Sequence, residues 1–172
     1  DAVRIERVGD VVIAPEVTAS LSGQDLTSGD ALSLGDVIVN ETKDFVFTVK
    51  NTGRADLTLG DVTAASLPAG VTLKSNLGVN TLAYNESTTF AVRASSARAT
   101  GVLSATFEMT TNDLTANDNG NTESPFTIPV GLSFVEPPAV TIIDHGDATG
   151  YTQTSGWKNV PKSTSYGEDF TY

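Results

Sequence analysis

The constraint that does most to limit this chain is the period of its side chains. Apolar and polar residues alternate one by one, the rhythm of a strand with one buried face, and no stretch repeats apolar residues at the spacing of a helix over three turns. In "KDFVFTVKN", Phe45, Phe47 and Val49 share one face, opposite Asp44, Val46, Thr48 and Lys50. "STTFAVRAS" sets Phe90, Val92 and Ala94 against Thr89, Ala91 and Arg93. "VLSATFEMTTN" sets Leu103, Ala105, Phe107 and Met109 against Ser104, Thr106 and Glu108, and "SPFTIPVGLSF" lines up Phe126, Ile128, Val130, Leu132 and Phe134.

Turn clusters punctuate these runs: Asn51-Thr52-Gly53, Leu67-Pro68-Ala69-Gly70, Tyr84-Asn85-Glu86-Ser87 and Ala99-Thr100-Gly101. With a leading strand near 32–39 and the runs "DLTLGDVTA" (56–64) and "GVTLKS" (70–75), the spacing predicts about seven short strands. Each has one apolar face that needs a second sheet to cover it. The expected fold is therefore all-β, an immunoglobulin-like β-sandwich over residues 32–134, followed by a partial second β-domain at the C-terminus. Pro129 inside the last run implies an edge strand, or a proline on the non-bonding side of its strand.

Outside the sandwich, residues 1–31 read as an N-terminal strand segment or the end of a preceding domain. Residues 135–138, "VEPP", form a stiff linker, and residues 139–172 open a second β-domain with "AVTIID". Both ends read as edges of a longer chain. No basic-then-apolar leader opens the sequence, as expected of a mature chain or an internal piece.

Charge narrows the partners. The chain carries 21 acidic against 10 basic residues, a net charge of −11, and lacks the Lys/Arg clusters that hold phosphate backbones or anionic membranes. Nucleic acid is not an expected partner, and no apolar run is long enough for direct membrane insertion. The absence of cysteine removes disulfides, thiol catalysis and zinc–thiolate sites. An acidic, cysteine-free chain of this kind suits an extracellular or cell-surface protein.

The order Gly35-Asp36-Val37, "TKDFVFTVKNTGRADLTL", "LAYNESTTFAV", then a long strand and "TND" resembles the Hydin-like, choice-of-anchor D family of immunoglobulin-like domains over about residues 32–134. Asn51-Thr52-Gly53-Arg54-Ala55-Asp56-Leu57 carries the likeness. Asn-Thr-Gly is expected to turn tightly with Gly53 at positive φ, and Leu57 to re-enter the core. The family's usual Pro-Gly is replaced by Tyr84-Asn85, and the loop "NDLTANDNGNTES" is longer than the pattern. In the tail, Ile142-Ile143-Asp144, Gly146-Asp147, Gly156-Trp157 and Tyr166-Gly167-Glu168-Asp169-Phe170-Thr171-Tyr172 resemble the opening of a golvesin / xanthan lyase C-terminal-type domain over about residues 139–172. The first resemblance implies binding or scaffolding and carries over no catalytic residue, and the second implies a jelly-roll-like β-domain with Trp157 and Tyr172 as core anchors.

Candidate sites are few. His145, the sole histidine, lies in Asp144-His145-Gly146-Asp147 without a second histidine, a cysteine or a G-x-S-x-G elbow to complete a hydrolytic or zinc centre. It is read as a surface residue in a turn, and no catalytic residue is assigned. Asn112, Asp113, Asp118 and Asn119 are hard oxygen donors in one loop, the set expected to hold calcium if any does. The competing reading is a solvated inter-strand loop, and no other cofactor is implied. Asn40-Glu41-Thr42 and Asn85-Glu86-Ser87 match the N-glycosylation pattern.

Together these features predict a non-catalytic structural or adhesive module of a large bacterial extracellular protein. Its partners would be other protein chains, with self-association by strand addition at sheet edges as a route to a filament or surface layer. Two alternatives are an accessory region of a secreted hydrolase or polysaccharide lyase, and a carbohydrate-binding module stacking Trp157, Tyr151, Tyr166 and Tyr172 on sugar rings.

Overall fold

Each predicted alternation forms a strand. The computed structural model describes residues 13–95, 100–115, 120 and 123–138. In chain order the strands are β1 (Val17–Leu21), β2 (Gln24–Leu26), β3 (Leu32–Ile38), β4 (Thr42–Asn51), β5 (Leu57–Thr58), β6 (Thr63–Ala64), β7 (Val71–Ser75), β8 (Thr81–Leu82), β9 (Ser87–Ser95), β10 (Gly101–Met109) and β11 (Phe126–Val135). No helix occurs among the described residues, so none there is long and apolar enough to cross a membrane. The chain divides into two units, Asp1–Pro137 and Pro138–Tyr172, and every strand among the described residues belongs to the first. The golvesin-type resemblance, His145 and the aromatic residues proposed for sugar stacking all lie outside the described residues.

Two sheets make an immunoglobulin-like sandwich. Sheet A has the order β2-β1-β4-β9-β7, sheet B the order β3-β11-β10-β6, and β5 and β8 form a small third sheet. All pairings are antiparallel except β3 with β11, which run parallel. Alternation sends Phe45, Phe47 and Val49 of β4 and Phe90, Val92 and Ala94 of β9 inward. They meet Leu103, Ala105, Phe107 and Met109 of β10 and the apolar face of β11. Phe47 and Phe90, opposite each other across β4–β9, stack with centroids 4.7 Å apart, and Phe107 of sheet B tilts against Phe90 at 6.4 Å. Each fully buried phenylalanine contributes on the order of 1.5–3 kcal/mol from apolar burial alone.

The sequence and the structure differ at four places, each for a local reason. Of the segment 1–31, residues Val17–Leu26 form the hairpin β1–β2; Val17 and Ala19 are core residues, and β1 pairs along β4 from Asn51 to Phe47. The polar residues of "TASLSGQDL" hid this pair, because Thr18 and Ser20 fall on its outer side. The run 56–64 breaks in two at Gly60, whose N–H donates to the Thr110 carbonyl at 2.8 Å, so that β5 joins β8 and β6 joins β10. For Pro129 the edge-strand alternative fails, since β11 lies between β10 and β3, and the expected non-bonding placement holds. β3 begins to pair only at Leu32 opposite Val130, so the missing N–H of Pro129 breaks no rung there.

The fourth difference concerns Gly53, which does not take a positive φ. Glycine is required because a methyl group there would collide with the backbone of Ala14, Pro15 and Glu16. Besides Ser22, the side-chain-bearing residues described with positive φ are Asn40 and Asn85, both at 70°. Each precedes a glutamate whose N–H closes the turn, Glu41 to Ile38 at 3.0 Å and Glu86 to Ala83 at 3.0 Å. Asparagine tolerates this conformation better than other side-chain-bearing residues, which accounts for both Asn-Glu-Thr/Ser matches as turn chemistry.

Candidate functional site

Four arrangements of polar groups stand out, three on sheet A or at its end and one on sheet B. The first is the clip at Asn51, whose side chain is fully buried at the end of β4. Its Nδ2 donates to the carbonyls of Ala55 (2.8 Å) and Leu82 (2.9 Å), while its Oδ1 accepts from Gly53 N–H (3.0 Å) and Glu16 N–H (3.3 Å). One amide thus joins the entering chain, the turn after β4 and the small third sheet. Leu57 follows the turn into the core with no exposure, as its motif predicts.

Beside the clip lies an acidic group. Asp113 is fully buried; its Oδ2 accepts from Val17 N–H (2.9 Å), and its Oδ1 accepts from the Thr115 N–H (3.0 Å) and hydroxyl (2.7 Å). One carboxylate oxygen from each of Glu16, Asp113 and Glu123 lies within 4.8 Å of the others. These are hard donors of the kind that suit calcium. The expected partner Asn112 is spent elsewhere. Its Oδ1 accepts from Thr58 N–H (2.8 Å) and its Nδ2 donates to the Asp56 carbonyl (3.1 Å), so it ties the loop to β5. Asp118 and Asn119 lie outside the described residues. Sequence reading missed Glu16 and Glu123, which are distant from Asp113 in the chain or hidden in the loop's Ser/Thr/Asn background; no local spacing marks them.

On the outer face of sheet A, Asp44 of β4 sits opposite Arg93 of β9. Arg93 Nε and a terminal nitrogen reach its two oxygens at 2.7 and 3.0 Å, and Lys74 Nζ of β7 adds a contact at 2.6 Å. The guanidinium of Arg93 and then the ammonium of Lys74 hold the Asp44 carboxyl well below the usual carboxylate range, and Asp44 in turn raises Arg93. Lys43, on the same strand, lies over the Phe45 ring at 5.1 Å.

Sheet B has a different exterior. Its strand β10 is paired with β11 from Gly101 to Met109, but on the other side β6 covers only Phe107 and Glu108. The direction of the remaining backbone groups follows from period two. Thr110 gives its carbonyl to Gly60 and Asn112 gives its N–H to Thr58 on the β6 side. In a regular strand the same side receives the N–H and C=O of Thr106, Ser104 and Val102. Among the described residues no strand pairs with that stretch, and Val102 is 81% exposed.

The other edges are blunted. β2 is three residues with an exposed Asp25, β7 carries a register shift between Leu73 and Ser75 together with Lys74, and β3 has Gly35 at φ 75° beside Asp36. Short length, irregularity and charge are the usual protections of an edge. Gly101–Thr106 has none of them.

Next to this edge, on the outer face, is a depression of about 430 Å³ lined by uncharged residues that include Ala65, Ser66, Ser104, Thr106, Pro129 and Gly131.

Comparison with protein families agrees with the immunoglobulin-like fold. The model of the HYDIN/CFA65/VesB-like Ig-like domain matches residues 26–124. None of the curated proteins compared matches the chain. Similar solved structures include a protein from Porphyromonas gingivalis W83 (18% identity, TM-score 0.49, covering 71% of this chain and 49% of that one). The Vibrio cholerae VesB protease is another (18%, TM-score 0.41, 60% and 29%). A third is the CARDB domain of the Pyrococcus furiosus protein PF1109, solved with di-metal ions (17%, TM-score 0.41, 74% and 100%). The chain therefore spans about half or less of the first two.

Proposed function

This chain belongs to the HYDIN/CFA65/VesB-like family of Ig-like domains, and from that premise we propose that it is a non-catalytic structural or adhesive module of a larger extracellular or cell-surface protein. Its part is mechanical. A continuous apolar core between two ladders gives stiffness, and the acidic exterior gives solubility. Contact with other protein chains is made through sheet edges and loops.

The observation that carries this reading is the edge of β10, which no strand among the described residues covers beyond β6. A domain with no need of a strand partner has every reason to blunt such an edge, as β2, β3 and β7 do. Immunogold labelling of intact cells with an antibody raised against the sandwich tests the setting. Gold on the exterior or on shed material is the expected result, and label confined to the cytoplasm overturns it. Deleting residues 17–135 from the full-length protein tests the role: loss of assembly or adhesion with any enzymatic activity of the rest intact is expected. Loss of turnover at saturating substrate would instead make the segment part of a catalytic unit.

A further inference from the structure

We infer that the β10 edge is a peptide-binding site. It takes one extended segment of another protein, neutral or basic in charge, whose bulky apolar side chain seats in the depression beside Ser104 and Thr106. The inference rests on the module reading above and adds the partner's chemistry.

Three observations select this occupant. The first is the backbone. Val102 and Ser104 aim N–H and C=O outward in the line that β6 abandons after Ala64, with Thr106 at the junction, so an added strand continues the ladder where β6 stops. The second is the depression. It opens on the outer face, the side to which alternate side chains of an added strand point, and its volume of about 430 Å³ lies at the low end of the range for small-molecule pockets. That space suits a single large side chain in an uncharged setting. Gly131 forms part of its floor, and a Cβ there would meet nothing closer than the Leu103 carbonyl at 4.0 Å.

The third is charge and size, which argue against a second copy of this chain. Two chains of net charge −11 repel each other, whereas a neutral or basic segment is drawn in. Pairing along Gly101–Thr106 is a ribbon about 20 Å long. Such a ribbon falls short of the roughly 1,200 Å² of total buried surface that marks a stable interface between folded proteins. A short strand with an anchor in a pocket needs no more.

The test uses the 172-residue chain and a fluorescent seven-residue peptide of threonine and valine, with tryptophan at its centre and lysine at each end. Anisotropy titration is expected to show saturable binding, weakened about tenfold or more when the tryptophan is replaced by alanine, the change that one good anchor supplies. N-methylation of the peptide at alternate residues is expected to abolish binding in one phase of the alternation and spare it in the other.

In the protein, Gly131→Leu fills the depression and Ser104→Pro removes an outward N–H. Both are expected to reduce binding by a similar factor while the thermal transition of Gly131→Leu stays at that of the parent. If Ser104→Pro fails to fold, the methylated peptides carry the same information. Binding unaffected by Gly131→Leu and by methylation overturns the site. A concentration-dependent dimer, seen by sedimentation without peptide and dissolved by Val102→Lys, assigns the edge to a second copy and overturns the occupant. No binding by any of these peptides also overturns the inference, and it leaves the module reading to the labelling and deletion experiments.

Discussion

The two sheets of the sandwich share one core but finish their exteriors in opposite ways. Sheet A crosses its outer face with the Lys74–Asp44–Arg93 triad, ends its longest strand in the buried Asn51 clip, and stops at edges that are short or irregular. Sheet B carries a depression lined by small uncharged residues on its outer face, and among the described residues no strand pairs with β10 on its β6 side from Gly101 to Thr106. The side chains of the triad and the clip find their partners within the molecule, whereas the β10 edge pairs with no strand among the described residues beyond β6. The difference separates what holds the fold from what the fold presents.

The most direct way to break this contrast is to open the clip. Asn51→Ala leaves the carbonyls of Ala55 and Leu82 and the N–H of Gly53 without their buried partner, and is expected to cost about 3 kcal/mol. Urea unfolding followed by circular dichroism measures it. A loss below about 1 kcal/mol would mean that water replaces the amide and that the clip is not a stabilising feature of sheet A. Gly53→Ala should follow at about 2 kcal/mol, because the Ala14–Glu16 backbone must move away. That movement also strains the bonds from Thr52 N–H to Glu16 (2.8 Å) and from Arg54 N–H to Ala14 (2.9 Å). Gly53→Ser should behave alike; equal stability to the parent would show that the close approach can relax.

The triad predicts a smaller effect with a definite sign. Asp44 titrates in the folded protein below its ordinary value of 3.8, so the unfolded chain binds a proton first as pH falls. The stabilisation is fully present above about pH 4 and is lost as pH drops from there through the folded value. Stability of the parent minus that of Asp44→Asn should be constant from neutral pH down to about 5 and shrink below 4. The side chains are 31–44% exposed, so salt should weaken it. A difference that grows on acidification would contradict the assigned pairing.

Alternation made the core of both sheets legible before any coordinates, since Phe45, Phe47, Phe90, Phe107 and Phe126 each sit at the inward phase of their strand. The Asn51 motif likewise announced its turn. What escaped was long-range and polar. The β1–β2 hairpin has too few apolar residues to show a period, and the break at Gly60 depends on Thr110 fifty residues away. The acidic group at Asp113 is assembled from three separate places, Glu16, Asp113 and Glu123, and only one of these belonged to the proposed calcium set. The bare edge of β10 is a property of where β6 ends, and a strand two residues long leaves no sequence signature.

The smallest expected effect is the sharpest test of the comparison. Val102 is 81% exposed on sheet B, makes no core contact and belongs to the strand that sheet A's devices would have protected. If the outer edge of sheet B contributes nothing to holding the fold, Val102→Lys should change stability by less than about 0.5 kcal/mol, the ordinary range for a surface position. A lysine on an edge also discourages unplanned strand pairing, so the variant should stay soluble to higher concentration than the parent. A clear loss of stability would place Val102 within the folding core and erase the distinction between the sheets. An unchanged fold with altered association is what separates a surface kept for partners from one kept for the protein itself.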